Sequence, residues 1–341
     1  MRARVRGAVG AGVWADVRRG VVTWVRAPGR AGIVEVSSVR GPALPLNRVL
    51  AADASYECSC ACGCLTRERR YPTDLTDDQW AVLEPALPVM LCRTVLGGRP
   101  ELHSRRTMVN ALLYLVDNGI KWRAMPADFP PWRTVWGMHA RWKKDGVPAR
   151  IVDDLRAVIR LAAGRQAEPS AGVIDAQSVA ESAEGVVPAA TSGYDSHKNV
   201  NGRKRHLLVD TLGLLICVVV TVASAQDRAG AAMLLKRARA RGRHRLALIW
   251  ADKAYDGDWR YWCQRALGVI IEVVLQPRDQ QGFRVLPRRW VVERTHAWIT
   301  RRRRCARDYE RLPQHHAAMV EWAAIIQMTR RAAKTMQTAP A

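Results

Sequence analysis

The sequence predicts a mixed α/β fold, a five-stranded sheet with helices on its faces, preceded by a small all-α domain of helix-turn-helix character. Three observations predict it. Between Thr76 and Leu161 apolar residues recur at helical spacing. At Ala171 the pattern changes to short β-branched runs, and from there the elements read β-β-β-α-β-α-β. The chain then closes on a strongly basic helical stretch, Val285 to Arg304.

Residues 1–70 show no sustained helical or strand period. They mix Gly, Arg, Val and Ala, pass through CSCACGC (Cys58, Cys60, Cys62, Cys64) and end at Arg67-Glu68-Arg69-Arg70. This stretch is expected to be either a disordered or weakly structured basic extension or upstream sequence translated from a misplaced start codon, with the second favoured. The clustered cysteines lack both the usual C-x2-C spacing and a nearby second Cys/His pair, so a packed metal site is not expected there. Cys92, Cys217, Cys263 and Cys305 are scattered, as reduced and mostly buried thiols are.

Organised sequence begins at YPTDLTDDQWAVLEPALP. Thr76 is a helix N-cap, with Asp77 and Asp78 in the first turn and Gln79 completing a capping box. A second helix is expected from Ser104 to Asn118-Gly119, with Met108, Ala111, Leu112, Leu115 and Val116 on one stripe. Pro130-Pro131 opens a third, whose apolar side is read as Trp132, Val135, Trp136, His139 and Trp142. Arg133, Arg141, Lys143 and Lys144 flank it as candidate DNA contacts, with a plain packing domain as the competing reading; His139 alone reads as a core or capping residue. Ile151 to Leu161 is a linking helix.

The first strand, Gly172 to Val179, carries Asp175 in its middle. A polar loop follows, ending in Lys198, Arg203, Lys204 and Arg205. Strands His206–Asp210 and Leu214–Val222 flank the hairpin signal Thr211-Leu212-Gly213. A helix Asp227–Arg241, a strand Leu246–Ala251 running into Asp252, a helix Trp259–Leu267 and a strand Val269–Leu275 complete the pattern. Domains are therefore expected at 1–70, 71–165 and 170–333, with a tail at 334–341.

The 54 Lys+Arg against 31 Asp+Glu give a net charge of +23, which favours a polyanionic partner, nucleic acid first. The longest apolar run, Leu212 to Ala225, is too short to span a bilayer, and MRARVRG followed by a weakly apolar stretch is a poor signal peptide. A cytoplasmic protein associated with nucleic acid is expected.

Burying a carboxylate is costly unless it is paired or bound to metal. Asp175 sits inside an apolar strand, Asp252 ends one, and Glu293 stands alone among arginines on the closing helix. If the two strands are neighbours, the three converge as hard oxygen ligands suited to Mg2+ or Mn2+. Two such ions about 3.5–4 Å apart would support in-line phosphoryl displacement. The bland readings are a turn cap for Asp175, a surface pair for Asp252 and an i, i+4 pair of Glu293 with Arg289. Asp195, Asp210, Asp227 and Asp256 have easy structural roles at turns and helix starts. Arg289, Glu293, His296, Thr300 and Arg301 share one helical face, with Arg294 beside it. No P-loop, dinucleotide fingerprint or Ser-His-Asp order is present.

The blocks YPTDLTDDQW, DFPPWRTVWGMHARW, VIDAQSV, GYDSHKNVNGRKRHLLVDTLGLL, QDRAGA, WADKAYDG and GFRVLPRRWVVERTHAWITRRRR…DYERLP, in this order, resemble bacterial insertion-sequence transposases of the insertion-sequence-five family. The resemblance spans residues 71 to about 333. It implies a ribonuclease-H-like catalytic domain of DDE type, with Asp175, Asp252 and Glu293 as its triad, using Mg2+. It also implies recognition of terminal inverted repeats, cutting of double-stranded DNA at the element ends and joining of 3′-hydroxyls to target DNA, and a homodimer or larger assembly on DNA is expected. The related signature Y-x2-R-x3-E-x6-K is met by Arg289 and Glu293, while Leu286 replaces its Tyr and Thr300 its Lys. Lys198, Arg203, Lys204, Arg205, Arg289, Arg294 and Arg301 are then expected to grip phosphates. A nuclease of the same fold and a decayed DNA-binding relic are the competing readings.

Overall fold

The computed structural model describes residues 68–89, 101–181, 186–275 and 288–337, together with the backbone of three strands near the N-terminus. The Cys58–Cys64 cluster, Cys92, residues 285–287 and the end of the tail lie outside the described residues. The chain divides into two units, Met1–Ser55 and Tyr56–Ala341.

The first unit differs from the expected disordered extension. Its strands β1 (Ala3–Val5), β2 (Val13–Arg18) and β3 (Val21–Arg26) pair as an antiparallel meander. The signal was local: VWADVR and VVTWVR are β-branched runs separated by Arg19-Gly20, a hairpin too short to register as a sustained period.

In the second unit, α1 (Asp77–Leu83) starts on the predicted capping box. Gln79 donates its N–H to Thr76 Oγ1 and Thr76 donates its own to Gln79 Oε1, both at 3.2 Å. Helix α2 (Arg105–Asn118) is capped by Ser104 and ends on left-handed Gly119. A Cβ at Gly119 would come within 2.8 Å of Arg303 Cβ, so both conformation and space require glycine. Helix α3 (Trp132–Lys144) and α4 (Val147–Ala162) follow. On α3 the buried side is Val135, Met138, His139 and Trp142, whereas Trp136, assigned to that side from sequence, is 42% exposed. The helix is rotated so that Met138, rather than Trp136, faces inward. His139 is a core residue, accepting the Trp322 indole N–H at Nδ1 (3.3 Å).

The sheet consists of β4 (Ala171–Ala180), β5 (Gly193–Asp195), β6 (Val200–Asp210), β7 (Leu215–Val222), β8 (Leu248–Ala251) and β9 (Ile270–Val273). It has one strand more than expected, because the short β5 pairs with the start of β6. The other five lie in the spatial order β7-β6-β4-β8-β9. β4–β6 and β6–β7 are antiparallel, while β4–β8 and β8–β9 are parallel. Helices α5 (Asp227–Ala240) and α6 (Trp259–Leu267) supply the crossovers that parallel pairing needs. Helices α7 (Trp290–Thr300), α8 (Arg303–Ala306) and α9 (Pro313–Gln337) close the chain.

One face of the sheet buries Ile174, Leu208, Ile249 and Ala251 against Leu234 and Leu235 of α5. The other buries Val173, Leu207, Val209 and Trp250, in one core with α1–α4, α7 and α9. Residues 71–165 share this core with the sheet. Their helices pack on α9, whose Met319, Trp322, Ile325 and Ile326 are buried in the same core. Sequence order hid this, because α9 lies some 150 to 230 residues downstream of the helices it packs against. Among the described residues no helix is long and apolar enough to cross a membrane.

Candidate active site

Strand periodicity decides where the predicted acids point. Val173 and Leu207 lie on the α7 face of the sheet and Ile174 and Leu208 on the other, so Asp175 and Gln177 project with Val173. On β8, Trp250 shares that face, and Asp252 follows two residues on. Val173 pairs with Trp250 in the parallel ladder, so continuing the register by two residues sets Asp175, in the middle of β4, beside Asp252, just past the end of β8. Asp252 also caps the turn Lys253–Tyr255, its Oδ1 accepting the Ala254 N–H at 2.9 Å.

Burial pushes the Asp175 carboxyl up to about 6; the charge of Asp252 adds to this, while the Ala176 N–H, Lys198 and Arg289 oppose it. Lys198 is exposed, with Nζ donating to the Ala176 carbonyl at 3.0 Å, next to Asp175. Helix α7 lies over this edge, with Val291, Val292, Thr295, His296 and Ile299 buried. Its Arg289 guanidinium stands between acids of two elements, 3.5 Å from Glu293 Oε1 and 3.9 Å from Asp252 Oδ2. The i, i+4 pair of the bland reading therefore exists, yet it reaches across to Asp252 as well. His296 Nε2 is 3.4 Å from Asp175 Oδ2, and burial lowers its pKa to about 3, leaving the ring neutral. The Tyr255 hydroxyl is buried with no hydrogen-bond partner among the described residues. Burial raises its pKa, and Asp175, Asp227 and Asp252 add to the rise.

Two carboxylates facing one edge, one of them with its pKa raised by burial, form a donor set for a hard divalent cation. Asp175 and Asp252 fit that role. Glu293 is 47% exposed and turned to Arg289, and among the described residues no three His, Cys, Asp or Glu side chains converge as a preformed metal cage. The guanidinium supplies the positive charge between Asp252 and Glu293 in this arrangement.

The predicted cations divide sharply. Arg203 is fully buried, bonded to Asp308 (2.9 Å), Thr191 and the carbonyls of Glu310 and Arg311. Lys204 is buried between Asp227 (3.0 Å) and Asp195 (3.4 Å). Arg205 is buried against Gln177, Thr300 and the Cys305 carbonyl. These three, expected on phosphates, are instead interior struts, because the strand begins at Val200 rather than His206 and carries them into the sheet. Arg294 is half-buried between Trp290 and Trp298 and donates to the Leu212 carbonyl, so it too serves packing. Thr300 accepts from Arg205 and donates to the His296 carbonyl, both at 2.8 Å. Lys198, Arg301, Arg133, Arg141 and Lys144 are exposed, and Lys143 and Arg289 are half-buried. The competing acids are occupied elsewhere: Asp210 by Arg160 (2.6 Å), Asp256 by Arg260 (2.9 Å), and Asp195 and Asp227 by Lys204.

A sheet of this strand order and polarity, with one acid within and one just past its two central parallel strands and helices on both faces, has the architecture of a ribonuclease-H-like domain. Residues 166–328 match the family model "Transposase DDE domain", and residues 75–152 match "Putative transposase of IS4/5 family". The chain belongs to the DDE transposases of the IS4/5 type. It is similar to a Burkholderia cepacia protein described as "Putative transposase for insertion sequence element IS402", 29% identical over 126 residues. That match covers 35% of this chain and 59% of the relative's length. No solved structure matches the chain.

Proposed function

We propose that this protein binds the ends of an insertion sequence, cuts the DNA there and joins the freed 3′-hydroxyls to target DNA. The observation that carries the reading is the parallel register that sets Asp175 beside Asp252, with Glu293 linked to them through Arg289. Asp175 and Asp252 would hold divalent metal, Mg2+ or Mn2+, with Glu293 completing the set on release from Arg289. When bound, such ions activate a water or 3′-hydroxyl and stabilise the leaving oxygen.

The chain's own residues do the rest. Lys198 and Arg289 flank the acids and place a phosphate against them, and exposed Arg301 extends that cationic edge. On α3, exposed Arg133, Arg141 and Lys144 meet the duplex backbone, with half-buried Lys143 beside them. A homodimer or larger assembly would let two ends be processed together.

Asp252→Asn tests the site. Strand cleavage and joining should fall at least about a hundredfold, with binding to element-end duplex retained and still weakening steeply with salt. Full activity of this variant refutes the assignment. Hydrolysis by the parent protein without joining of pre-cut ends would place it among nucleases of the same fold.

A further inference from the structure

His296 is buried at this site, and the proposed reaction has so far made no use of it. It lies one turn after Glu293 on α7, on the side packed against β4. Only 5% of the residue is exposed, and neither ring nitrogen has a hydrogen-bond partner among the described residues. Buried polar atoms without partners are rare and call for a reason.

The neighbouring polar groups are already committed to one another. Thr300 donates to the His296 carbonyl and accepts from Arg205, and Gln177 Oε1 accepts from Arg205 Nε at 2.9 Å. The acceptors facing the imidazole both belong to Asp175: its backbone carbonyl and its carboxylate, whose Oδ2 lies 3.4 Å from Nε2. Closing that gap to the ~2.8 Å of a hydrogen bond to a carboxylate needs a movement of roughly half an ångström.

We infer that His296 is a positioning residue for Asp175: its Nε2–H donates to Oδ2 and fixes which oxygen of the carboxylate is turned to the cation. This rests on the proposed role of Asp175 as a metal holder. It is the arrangement by which a fixed outer partner sharpens a ligand's aim and affinity. Because His296 and Glu293 ride on one helix, α7 would orient one acid through a side chain while presenting the other directly.

The test is Mn2+ binding to the full chain, followed by electron paramagnetic resonance, alongside duplex binding and strand cleavage. His296→Phe keeps the ring's bulk and removes the donor, and His296→Gln keeps an N–H. The Phe variant should bind Mn2+ about 10–100-fold more weakly and recover cleavage at raised Mn2+, with duplex binding unchanged. The Gln variant should stay within about threefold of the parent if one donor suffices. Parent-like Mn2+ affinity in the Phe variant, or equal losses in folded Phe and Gln variants, overturns the inference. Asp175→Asn is the control. Lost Mn2+ binding there beside a parent-like Phe variant defeats the role of His296 alone. Unchanged binding in Asp175→Asn defeats the metal reading, and the inference with it.

Discussion

Asp175 shows how a single carboxyl can work against the fold that holds it. Its pKa, raised by burial and then by Asp252, lies near 6 against an ordinary value of 3.8. Between those values the folded chain binds more protons at this position than the unfolded one, so stability is lost as pH rises through the window and stays lost above it. Asp175→Asn should therefore stabilise the metal-free protein at pH 7.5, by on the order of 1–2 kcal/mol, and the gain should vanish near pH 4. Thermal unfolding of both proteins across that range checks it, and equal midpoints at pH 7.5 would contradict the assigned burial. Asp175 and Asp252 were legible in sequence because an acid within or ending an apolar strand is conspicuous. His296 was noted only as sharing a face with Glu293, since nothing local says that it meets β4.

At the scale of elements, β6 is where sequence reading and structure part. GRKRH reads as a basic loop, but once Val200–Asp210 is a strand its cations alternate between the two faces of the sheet: Arg203 and Lys204 meet acids, and Arg205 meets Gln177 and Thr300. Arg203→Met should destabilise the protein by about 3–5 kcal/mol, since it leaves Asp308 buried beside a missing charge. Urea unfolding reads this, and duplex affinity per folded molecule should be unchanged. Arg301→Ala should do the reverse, weakening duplex binding and flattening its salt dependence by about one unit of slope while leaving stability within about 0.5 kcal/mol. A stability-neutral Arg203→Met would return that residue to the list of phosphate contacts. Helix α7 behaved differently. Its face pattern was sequence-legible, since Arg289 does reach Glu293 and His296 and Thr300 do turn toward the sheet. Its start was not: the helix begins at Trp290, after Arg288 takes a left-handed conformation (φ 71°) and stacks on Trp250.

The second unit is held by α9, which carries one hydrophobic core across the helical region and one face of the sheet. Helices α1–α4 and the sheet should therefore unfold in a single transition. The first 55 residues form a unit of their own. Removing them should leave the unfolding midpoint of residues 56–341 within a few degrees of the full chain and leave strand cleavage intact. A collapse of either quantity would show that the first unit supports the second.

What the amino-acid order determined by itself was local or periodic. The Thr76 capping box, the Gly119 stop, the strand-borne Asp175 and the arginine-flanked Glu293 follow from backbone chemistry and spacing of 2 or 3.6 residues, and seven ordered blocks carried the family. Tertiary structure alone decided three things. The parallel register brought Asp175 to Asp252, α9 merged two expected domains into one core, and three cations expected on DNA became struts inside the sheet. Each depends on contacts between residues far apart in sequence, and a charge declares its sign in the sequence but not the partner it will be buried against.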